Sequence, residues 1–209
     1  TGSVRWANRW GGAVEDDGEG VGTDAAGNVY VLGSRTHRDA TGVYVVNPNH
    51  GVEVFKYDPS GGAVWSKWVN TRNIVQNAGL AVDAAGNTFV AGVFNGTVDF
   101  DPSSKSKLLS SGSGPGGFVL KLTSAGNYAW ASTFSANAPS SSSHATRIAV
   151  DGGENVIVGG HYRGTVDFNP GSGTTTLPTA GGAYVAKLNG AGGLVWARAV
   201  EGAVLTTVY

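Results

Sequence analysis

The sequence predicts an all-β protein built from repeated four-stranded β-propeller blades. Glycine accounts for 34 of the 209 residues and charged residues for only 14%, which favours short strands and tight turns over a helical bundle. A seven-residue string occurs twice with one difference, as GTVDFDP from Gly96 and as GTVDFNP from Gly164. A lysine is followed nine residues later by a tryptophan three times, at Lys56 and Trp65, Lys121 and Trp130, and Lys187 and Trp196. Recurrence at fixed spacing is the sequence signature of a repeat architecture.

Three strings in a fixed order mark each repeat. A turn string, DAAGN, begins at Asp24 and Asp83, and its variant DGGEN begins at Asp151. A strand that carries the lysine follows, and the tryptophan closes the unit. These strings divide one propeller region, residues 1–209, into repeats of about 11–70, 71–134 and 135–200. The spacing varies only between the strings, which places the insertions in loops.

The second repeat shows the four predicted strands most clearly, at residues 79–83, 88–93, 117–122 and 128–134. The turn strings DAAGN and TSAGN join them in pairs. An Asp side chain can accept hydrogen bonds from amides ahead of it, and Gly adopts the left-handed conformation that closes a hairpin. In the third repeat Glu154 stands at the glycine position, and Gly152 and Gly153 are expected to shift that turn by one residue. A four-stranded antiparallel sheet that is repeated in tandem along the chain is typical of the blades of a propeller.

The tryptophans are predicted to be structural. Trp6, Trp65, Trp130 and Trp196 are expected to fill the interfaces between blades, because burial removes about 150–250 Å² of a large aromatic side chain from water. The string RWANRW around Trp6 matches VWARAV around Trp196, so residues near Trp6 are expected to form a leading outer strand. A closed propeller has about four to eight blades. The chain is therefore expected to be part of a longer propeller or one of several chains in a ring.

The recurring charged residues are also predicted to be structural. The aspartates that begin the turns are Asp24, Asp83 and Asp151, and the strand lysines are Lys56, Lys121 and Lys187. Each lysine ammonium is expected to meet a carboxylate, such as Asp83 or Asp99 for Lys121. An exposed pair of this kind stabilises by less than about 1 kcal/mol. A reactive amine has no reason to recur once in every blade.

The string TVDFDP leaves two alternatives open. Side chains alternate along an extended segment, so Asp99 and Asp101 share one face, and Asp167 and Asn169 repeat the arrangement. These oxygens are ligands that Ca²⁺ prefers, or they cap a turn while the phenylalanine fills a blade interface. Calcium is the one cofactor that the sequence suggests. The acidic run Glu15, Asp16, Asp17 and Glu19 lacks the order of an EF-hand loop and is predicted to be a solvated loop.

The sequence offers little support for catalysis. The histidines, which are His37, His50, His144 and His161, have no metal-ligand spacing, and cysteine is absent. No G-x-S-x-G elbow is present. Trp10 and Trp68 are extra to the repeat, and are either core residues or platforms on which sugars stack.

Together these spaced motifs resemble the bacterial SBBP-type β-propeller repeat. The matching segments are Trp10-Gly11-Gly12, Asp24 to Gly33, Asp83 to Gly92, Gly96 to Pro102, Phe118 to Leu122 and Gly164 to Pro170. The resemblance covers essentially the whole chain. It implies a secreted or surface-exposed bacterial protein, often a module of a larger one, and implies no enzymatic reaction. The first repeat departs from the pattern, because TGVYVVNP replaces GTVDFDP.

Three function classes follow from these observations. A net charge of −1 gives no electrostatic case for nucleic acid, and no apolar run approaches the roughly 20 residues of a membrane span. The leading expectation is a non-enzymatic binding or scaffold module that presents loops to protein or glycan, at residues 34–52, 101–116, 135–146 and 169–181. The alternatives are a multivalent lectin with an aromatic and carboxylate pocket in each blade, and a propeller lyase or hydrolase with its site in the central channel.

Overall fold

A computed structural model describes residues 2–10, 15–36, 51–70, 78–178 and 181–200 of the chain. These residues form strands, turns and loops without any helix, which confirms the predicted fold class. Accordingly, no helix in the described part of the chain is long and apolar enough to cross a membrane.

Three four-stranded antiparallel sheets follow one another along the chain, and we number them blades 1 to 3. Blade 1 consists of β1 (Glu15–Thr23), β2 (Val29–Thr36), β3 (Gly51–Tyr57) and β4 (Ala63–Asn70). Blade 2 consists of β5 (Gly79–Val82), β6 (Thr88–Phe94), β9 (Gly116–Leu122) and β10 (Tyr128–Ala136). Blade 3 consists of β11 (Ser142–Val150), β12 (Val156–Arg163), β14 (Gly182–Leu188) and β15 (Leu194–Ala199).

Three short strands lie outside these four-stranded sheets. Between β6 and β9, the chain forms a hairpin from β7 (Thr97–Asp99) and β8 (Leu108–Ser110). Between β12 and β14, β13 (Val166–Asp167) pairs with the outermost strand of blade 2, with Val166 opposite Ala136. A segment of the third repeat therefore extends the sheet of blade 2, and this pairing links the two blades.

Two sets of turns join the strands within each blade. The opening turns join the first and second strands, at residues 24–28, 83–87 and 151–155, and the closing turns join the third and fourth strands, at residues 58–62, 123–127 and 189–193. In the third opening turn, Glu154 N donates to Asp151 O at 3.0 Å, as Gly27 N donates to Asp24 O at 3.1 Å in the first. The expected one-residue shift is wrong, because Glu154 itself adopts the left-handed conformation, with φ of 60°.

Two hydrophobic clusters lie between successive blades. Leu32 and Val54 of blade 1 pack with Phe118 of blade 2, whereas Val119 of blade 2 packs with Tyr184 of blade 3. Strands β6 and β9 are buried at every position, because blade 2 is covered on both faces and consecutive side chains point to opposite faces. The blades thus stack face to face, as the repeat predicts.

Trp65 and Trp130 pack against these two clusters from their margins rather than at their centres. The large side chains that are fully buried include phenylalanines and tyrosines but no tryptophan. Trp6, Trp65, Trp130 and Trp196 are all half-buried at the edges of the blades. An indole carries an N–H group that needs an acceptor, and the turns at the blade edges supply backbone carbonyls that the hydrophobic clusters lack.

Residues 2–10 lie outside any strand, so the described structure does not form the predicted leading strand. They nevertheless cover blade 1, since the ring of Trp6 lies 5.9 Å from that of Tyr57 and the ring of Trp10 lies 5.5 Å from that of Phe55. Because side chains alternate along β3, these two residues occupy the face opposite Val54. We call the face of blade 1 that carries Phe55 and Tyr57 its front face.

Several predicted loops contain strands. The acidic run from Glu15 to Glu19 lies in β1, so the prediction of a loop is wrong there, although the side chain of Asp17 is exposed to solvent as expected. The loop predicted at 101–116 contains β8, and the loop predicted at 135–146 contains the end of β10 and the start of β11. The loop predicted at 34–52 falls mostly outside the described residues, because 37–50 are not described.

Candidate functional site

One contact recurs at Trp6, Trp65 and Trp130, between the indole and the closing turn of the blade that follows it. The indole Nε1 of Trp65 donates to the carbonyl of Ser124 at 3.1 Å, and that of Trp130 donates to the carbonyl of Gly190 at 2.9 Å. Trp6 makes the same bond to Pro59 of blade 1 at 3.3 Å. All three carbonyls belong to the second residue of a closing turn. We call this arrangement the indole–turn contact.

The indole–turn contact requires glycine at the fourth residue of the turn. A Cβ added at Gly61 would lie 2.6 Å from Cγ of Trp6, and one added at Gly192 would lie 2.8 Å from Cε3 of Trp130. Both glycines have a positive φ, of 88° and 83°, which L side chains rarely adopt. The glycine therefore serves both the turn and the approach of the indole.

A second donor accompanies the indole. The side chain two residues after the tryptophan donates to the carbonyl of the turn glycine, from Asn8 Nδ2 to Gly61 at 2.8 Å and from Ser132 Oγ to Gly192 at 2.8 Å. The closing turns of blades 1 and 3 thus present two carbonyls each, and the segment before each turn supplies two donors.

The aspartates of the opening turns act within their own turns. Oδ1 of Asp24 accepts hydrogen bonds from the amides of Ala26 and Asn28, both at 3.0 Å. Oδ2 accepts from Asn28 Nδ2 at 2.7 Å and from the Tyr30 hydroxyl at 3.0 Å. Burial acts to raise the pKa of Asp24, but these donors together hold that pKa below its usual value.

Asp83 and Asp151 follow the same design. Asp83 accepts from the amide and the side chain of Asn87, at 2.8 and 2.7 Å. Donors from the side chain and amide of Asn155, followed by Lys187, lower the pKa of Asp151 far below its usual value. In all three blades the carboxylate organises its own opening turn.

The strand lysines meet carboxylates, although not always the expected ones. Lys187 Nζ lies 3.0 Å from Asp151 Oδ2, and Lys56 Nζ lies 3.9 Å from Asp24 Oδ2. Lys121 was expected to meet Asp83 or Asp99, but its ammonium lies 3.3 Å from Glu154 of blade 3. Glu154, which replaces the glycine of the other opening turns, therefore pairs with the lysine of the preceding blade.

The predicted metal ligands Asp99 and Asp167 each organise a loop. Oδ1 of Asp99 accepts from the amides of Asp101 at 3.1 Å and Lys107 at 2.8 Å. Oδ1 of Asp167 accepts from the amides of Asn169 and Thr175, both at 2.9 Å. Burial would raise the pKa of Asp99, yet these amide donors and the Ser106 hydroxyl keep it below its usual value.

The second residue of each pair acts in the same way. Oδ1 of Asp101 accepts from the amide of Ser103, and Oδ1 of Asn169 accepts from the amide of Gly171, both at 2.9 Å. Across the described ranges, no group of three or more His, Cys, Asp or Glu side chains could hold a metal ion. Calcium binding by Asp99, Asp101, Asp167 and Asn169 stays a prediction.

A cleft of about 460 Å³ lies between β4 of blade 1 and the β7–β8 hairpin of blade 2. We call it the Trp68 cleft, and its lining includes Trp68, Asp99, Asp101, Ser103 and Leu108. The indole is half-buried and Leu108 is 64% exposed. The cleft thus combines apolar surface with two carboxylates at the outer edge of the blades.

Sequence reasoning missed this assembly. It singled out Trp68 and the two aspartates separately, but they lie about 30 residues apart and on different blades. Stacking of blade 2 on blade 1 brings them together. The signal that could have found them is the departure of Trp68 from the repeat, because Thr133 stands at the matching position of β10.

The aromatic wall of the cleft is not repeated in the next blade. Thr133, twelve residues after the repeat lysine as Trp68 is, has its hydroxyl 3.3 Å from that of Ser135. A similar aromatic and carboxylate pocket was expected in every blade. The pocket beside Asp167 and Asn169 therefore lacks its aromatic residue.

The first strands of the three blades line a smaller cavity of about 290 Å³. Its lining draws Glu19 and Gly20 from β1, Leu80 from β5, and Arg147 and Ile148 from β11. Oε1 of Glu19 accepts a hydrogen bond from Ser34 at 2.8 Å, and a guanidinium nitrogen of Arg147 donates to the carbonyl of Thr146 at 2.8 Å. Among the described residues, its lining includes one carboxylate, that of Glu19, and one guanidinium, that of Arg147.

Two of the four histidines form a pair on blade 3. His144 and His161 lie opposite each other on β11 and β12, and their rings stack with centroids 4.4 Å apart. Burial lowers the pKa of both, and the neighbouring His161 lowers that of His144 further. His37 and His50 lie outside the described residues.

The stacked four-stranded sheets define a repeat protein of the β-propeller type. The sequence is 28% identical over 132 residues to an uncharacterized WD repeat-containing protein of Acanthamoeba polyphaga mimivirus, and this similarity supports a repeat β-propeller-like fold. The match covers 57% of this chain and only 10% of that relative. No protein-family model matches the sequence.

Proposed function

We propose that this chain is a non-enzymatic binding and scaffold module that presents the Trp68 cleft to a protein or glycan partner. The similarity to a WD repeat-containing protein supports a propeller used for interaction. The observation that carries the proposal is the meeting of Trp68, Asp99 and Asp101 in one open cleft.

The chemistry of the cleft indicates what the partner offers. The indole of Trp68 and the exposed side chain of Leu108 supply apolar surface. Asp101 uses Oδ1 for a loop amide, and its second oxygen can accept a hydrogen bond from a partner. A partner with an apolar patch flanked by hydroxyl or amide donors matches this lining, as a protein loop or a sugar does.

A lectin is the second candidate, and Trp68 favours it. The apolar face of a sugar ring stacks on an indole, and its hydroxyls can donate to the neighbouring carboxylates. Because Thr133 replaces the aromatic residue in the next blade, we expect one such site in blades 1 and 2 rather than one for each blade.

We also propose the location that the resemblance to the SBBP-type repeat implies, which is outside a bacterial cell or on its surface. Immunogold labelling of the source cells with and without permeabilisation would check it. Labelling that requires permeabilisation would contradict it.

Binding assays with a matched tryptophan control test the proposed function. The protein is screened on a glycan array and against a displayed peptide library, and each hit is measured with Trp68→Ala and Trp196→Ala. Both indoles are half-buried, but only Trp68 lines the cleft. We expect Trp68→Ala to weaken binding at least about tenfold, as loss of an aromatic anchor does, and Trp196→Ala to leave it unchanged. Hits that are insensitive to Trp68→Ala would exclude the cleft as the binding site.

A further inference from the structure

A second open cavity, of about 490 Å³, adjoins the Trp68 cleft. Asp101, Pro102 and Ser103 line both spaces, so the two share a wall in the loop that follows β7. We call the second space the Lys67 cavity. The described lining of both spaces comes from blades 1 and 2. The further polar side chains that line the Lys67 cavity belong to Lys67, Ser104, Lys105, Asn127 and Tyr128.

Lys67 departs from the repeat, as its neighbour Trp68 does. Two residues after the tryptophan, Asn8 and Ser132 each donate to the carbonyl of a turn glycine, but β4 has a lysine at this position. The stem of Lys67 lies over the turn glycine instead, since a Cβ added at Gly126 would lie 2.8 Å from Cε of Lys67. The stem therefore carries the ammonium past the turn to the wall of the cavity.

The ammonium group of Lys67 has no counter-charge. The three strand lysines each lie within 3.9 Å of a carboxylate. Among the described residues, by contrast, the side chains of Lys67 and Lys105 have neither a carboxylate partner nor a hydrogen-bond acceptor. Lys67 is also half-buried. A charge that is partly removed from water is stabilised by an opposite charge beside it, so this ammonium favours an anion in the cavity.

The rest of the lining suits the oxygen atoms of such an anion. The hydroxyl of Ser104 and the side-chain amide of Asn127 are hydrogen-bond donors, and Lys105 adds a second ammonium. In the described lining, these two ammonium groups face one carboxylate, that of Asp101. The cavity therefore carries a net positive charge, whereas the lining of the adjoining Trp68 cleft contains two carboxylates and no lysine among its described residues.

We propose that the Lys67 cavity is an anion subsite and that the partner of the Trp68 cleft is an acidic oligosaccharide. A sugar ring stacks on Trp68, its hydroxyls donate to Asp101, and a carboxylate or sulfate group on the same or the next sugar pairs with Lys67 and Lys105. An acidic sugar carries an apolar ring face, hydroxyl donors and an anionic group on one small framework, which matches the two adjoining linings. The choice of a glycan rests on the proposed function, but the anion subsite does not, because none of its evidence involves the indole.

An NMR titration with sodium sulfate tests the subsite alone, with sodium chloride at equal ionic strength as the reference. We expect saturable shifts of the Asn127 side-chain amide and of the Ser104 and Lys105 backbone amides, which chloride does not produce. Lys67→Ser should weaken sulfate binding at least about fivefold, because hydrogen bonds to charged groups are the stronger ones. Lys107→Ser is the matched control, since it removes the same charge from an exposed position of the same loop outside the lining. It should change the affinity less than about twofold, as expected of an exposed charge.

Calorimetry with matched oligosaccharides tests the class of partner. The probes are an oligogalacturonate, its uncharged methyl ester, a sulfated galactan of the same length and a hexaglutamate peptide. We expect one of the two acidic sugars to bind at least about tenfold more tightly than the methyl ester, and the tighter of the two identifies the anionic group as carboxylate or sulfate. Lys67→Ser should remove this preference, whereas Trp68→Ala should weaken binding of all three sugars. Hexaglutamate that binds as tightly as the better acidic sugar would overturn the choice of a glycan.

The two titrations separate failure of this inference from failure of the proposed function. An absence of saturable sulfate shifts, or shifts that Lys107→Ser weakens as much as Lys67→Ser, would overturn the anion subsite and leave binding in the Trp68 cleft standing. Acidic sugars that bind through Lys67 but are insensitive to Trp68→Ala would instead contradict the proposed function. Lys67→Ser is expected to fold, because the serine at position 132 donates to its turn glycine, and its urea midpoint checks this. If it does not fold, Lys105→Ser in the exposed loop carries the same test.

Discussion

The hydroxyl oxygen of Tyr30 lies 2.6 Å from the position that a Cβ would take at Gly86. These residues face each other across the interface of blades 1 and 2, and the hydroxyl excludes any side chain there. At the next interface Phe89 replaces the tyrosine and Glu154 replaces the glycine. Glu154 has room for its side chain because Phe89 carries no hydroxyl, and its carboxylate reaches Lys121 at 3.3 Å.

This relationship predicts that residues 89 and 154 are energetically coupled. We expect Phe89→Tyr to destabilise the protein by about 1–3 kcal/mol, the usual cost of overpacking, because the new hydroxyl meets the side chain of Glu154. In a Glu154→Gly background the same change should cost less than about 0.5 kcal/mol. A double-mutant cycle from urea unfolding measures the coupling. Equal costs of Phe89→Tyr in the two backgrounds would refute the coupling.

Gly192 is predicted to be the most sensitive residue of the third closing turn. Gly192→Ala places a Cβ 2.8 Å from the Trp130 ring at a φ of 83°. We expect a loss of about 2–4 kcal/mol, since strain at a positive φ and a steric conflict between blades combine. Gly152→Ala is the control, because a Cβ there meets nothing within 4 Å. Similar unfolding midpoints for the two variants would contradict a requirement for glycine at the indole.

The histidine pair predicts a stability change near neutral pH. Burial lowers the pKa of His144 and His161 below the ordinary value of 6.5, and His161 adds to the effect on His144. The unfolded chain therefore binds more protons than the folded chain as the pH falls below about 6.5, so stability decreases. Stability should be at its plateau above that pH. We expect the urea midpoint to fall between pH 7.5 and 5.5, and the His144→Gln, His161→Gln protein to lose most of this slope. If the urea midpoint of the double variant falls with pH as steeply as that of the unaltered protein, groups other than these two histidines cause the effect.

How much of this structure could be predicted from the sequence depends on the range of the interactions involved. Strand order and turn positions follow from local strings, because Asp24 bonds within six residues of itself and Gly27 supplies the left-handed turn. The pairing of β13 with β10 could not be predicted in the same way, since Val166 and Ala136 belong to different repeats. The two-residue strand β13 also carries almost no signal of its own.

The candidate site was less accessible to sequence reasoning than the fold. The Trp68 cleft depends on how blade 2 stacks on blade 1, and no local pattern connects Trp68 with Asp99. The partner of Lys121 was missed for the same reason, because Glu154 belongs to the following blade. Repeats predict the contacts that recur, whereas function at this site depends on a residue that departs from the repeat.

Calcium removal tests the remaining alternative for Asp99, Asp101, Asp167 and Asn169. Because loop amides already occupy Oδ1 of each side chain, we expect the melting temperature to be the same with calcium and with EGTA. Asp99→Ala should instead destabilise in both conditions by about 1–3 kcal/mol, the cost of leaving amides without an acceptor. A rise in melting temperature with calcium that Asp99→Ala abolishes would establish a metal site.

The central claim is that each blade holds the next through an indole bonded to its closing turn. Hydrogen exchange of the indole N–H groups, followed by NMR on monomeric protein, measures those bonds directly. The Nε1–H groups of Trp65 and Trp130 should exchange slowly, because both are bonded across a blade interface at 3.1 and 2.9 Å. That of Trp196 should exchange at least about tenfold faster, since it has no acceptor among the described residues. Equal protection of Trp130 and Trp196 would contradict the claim.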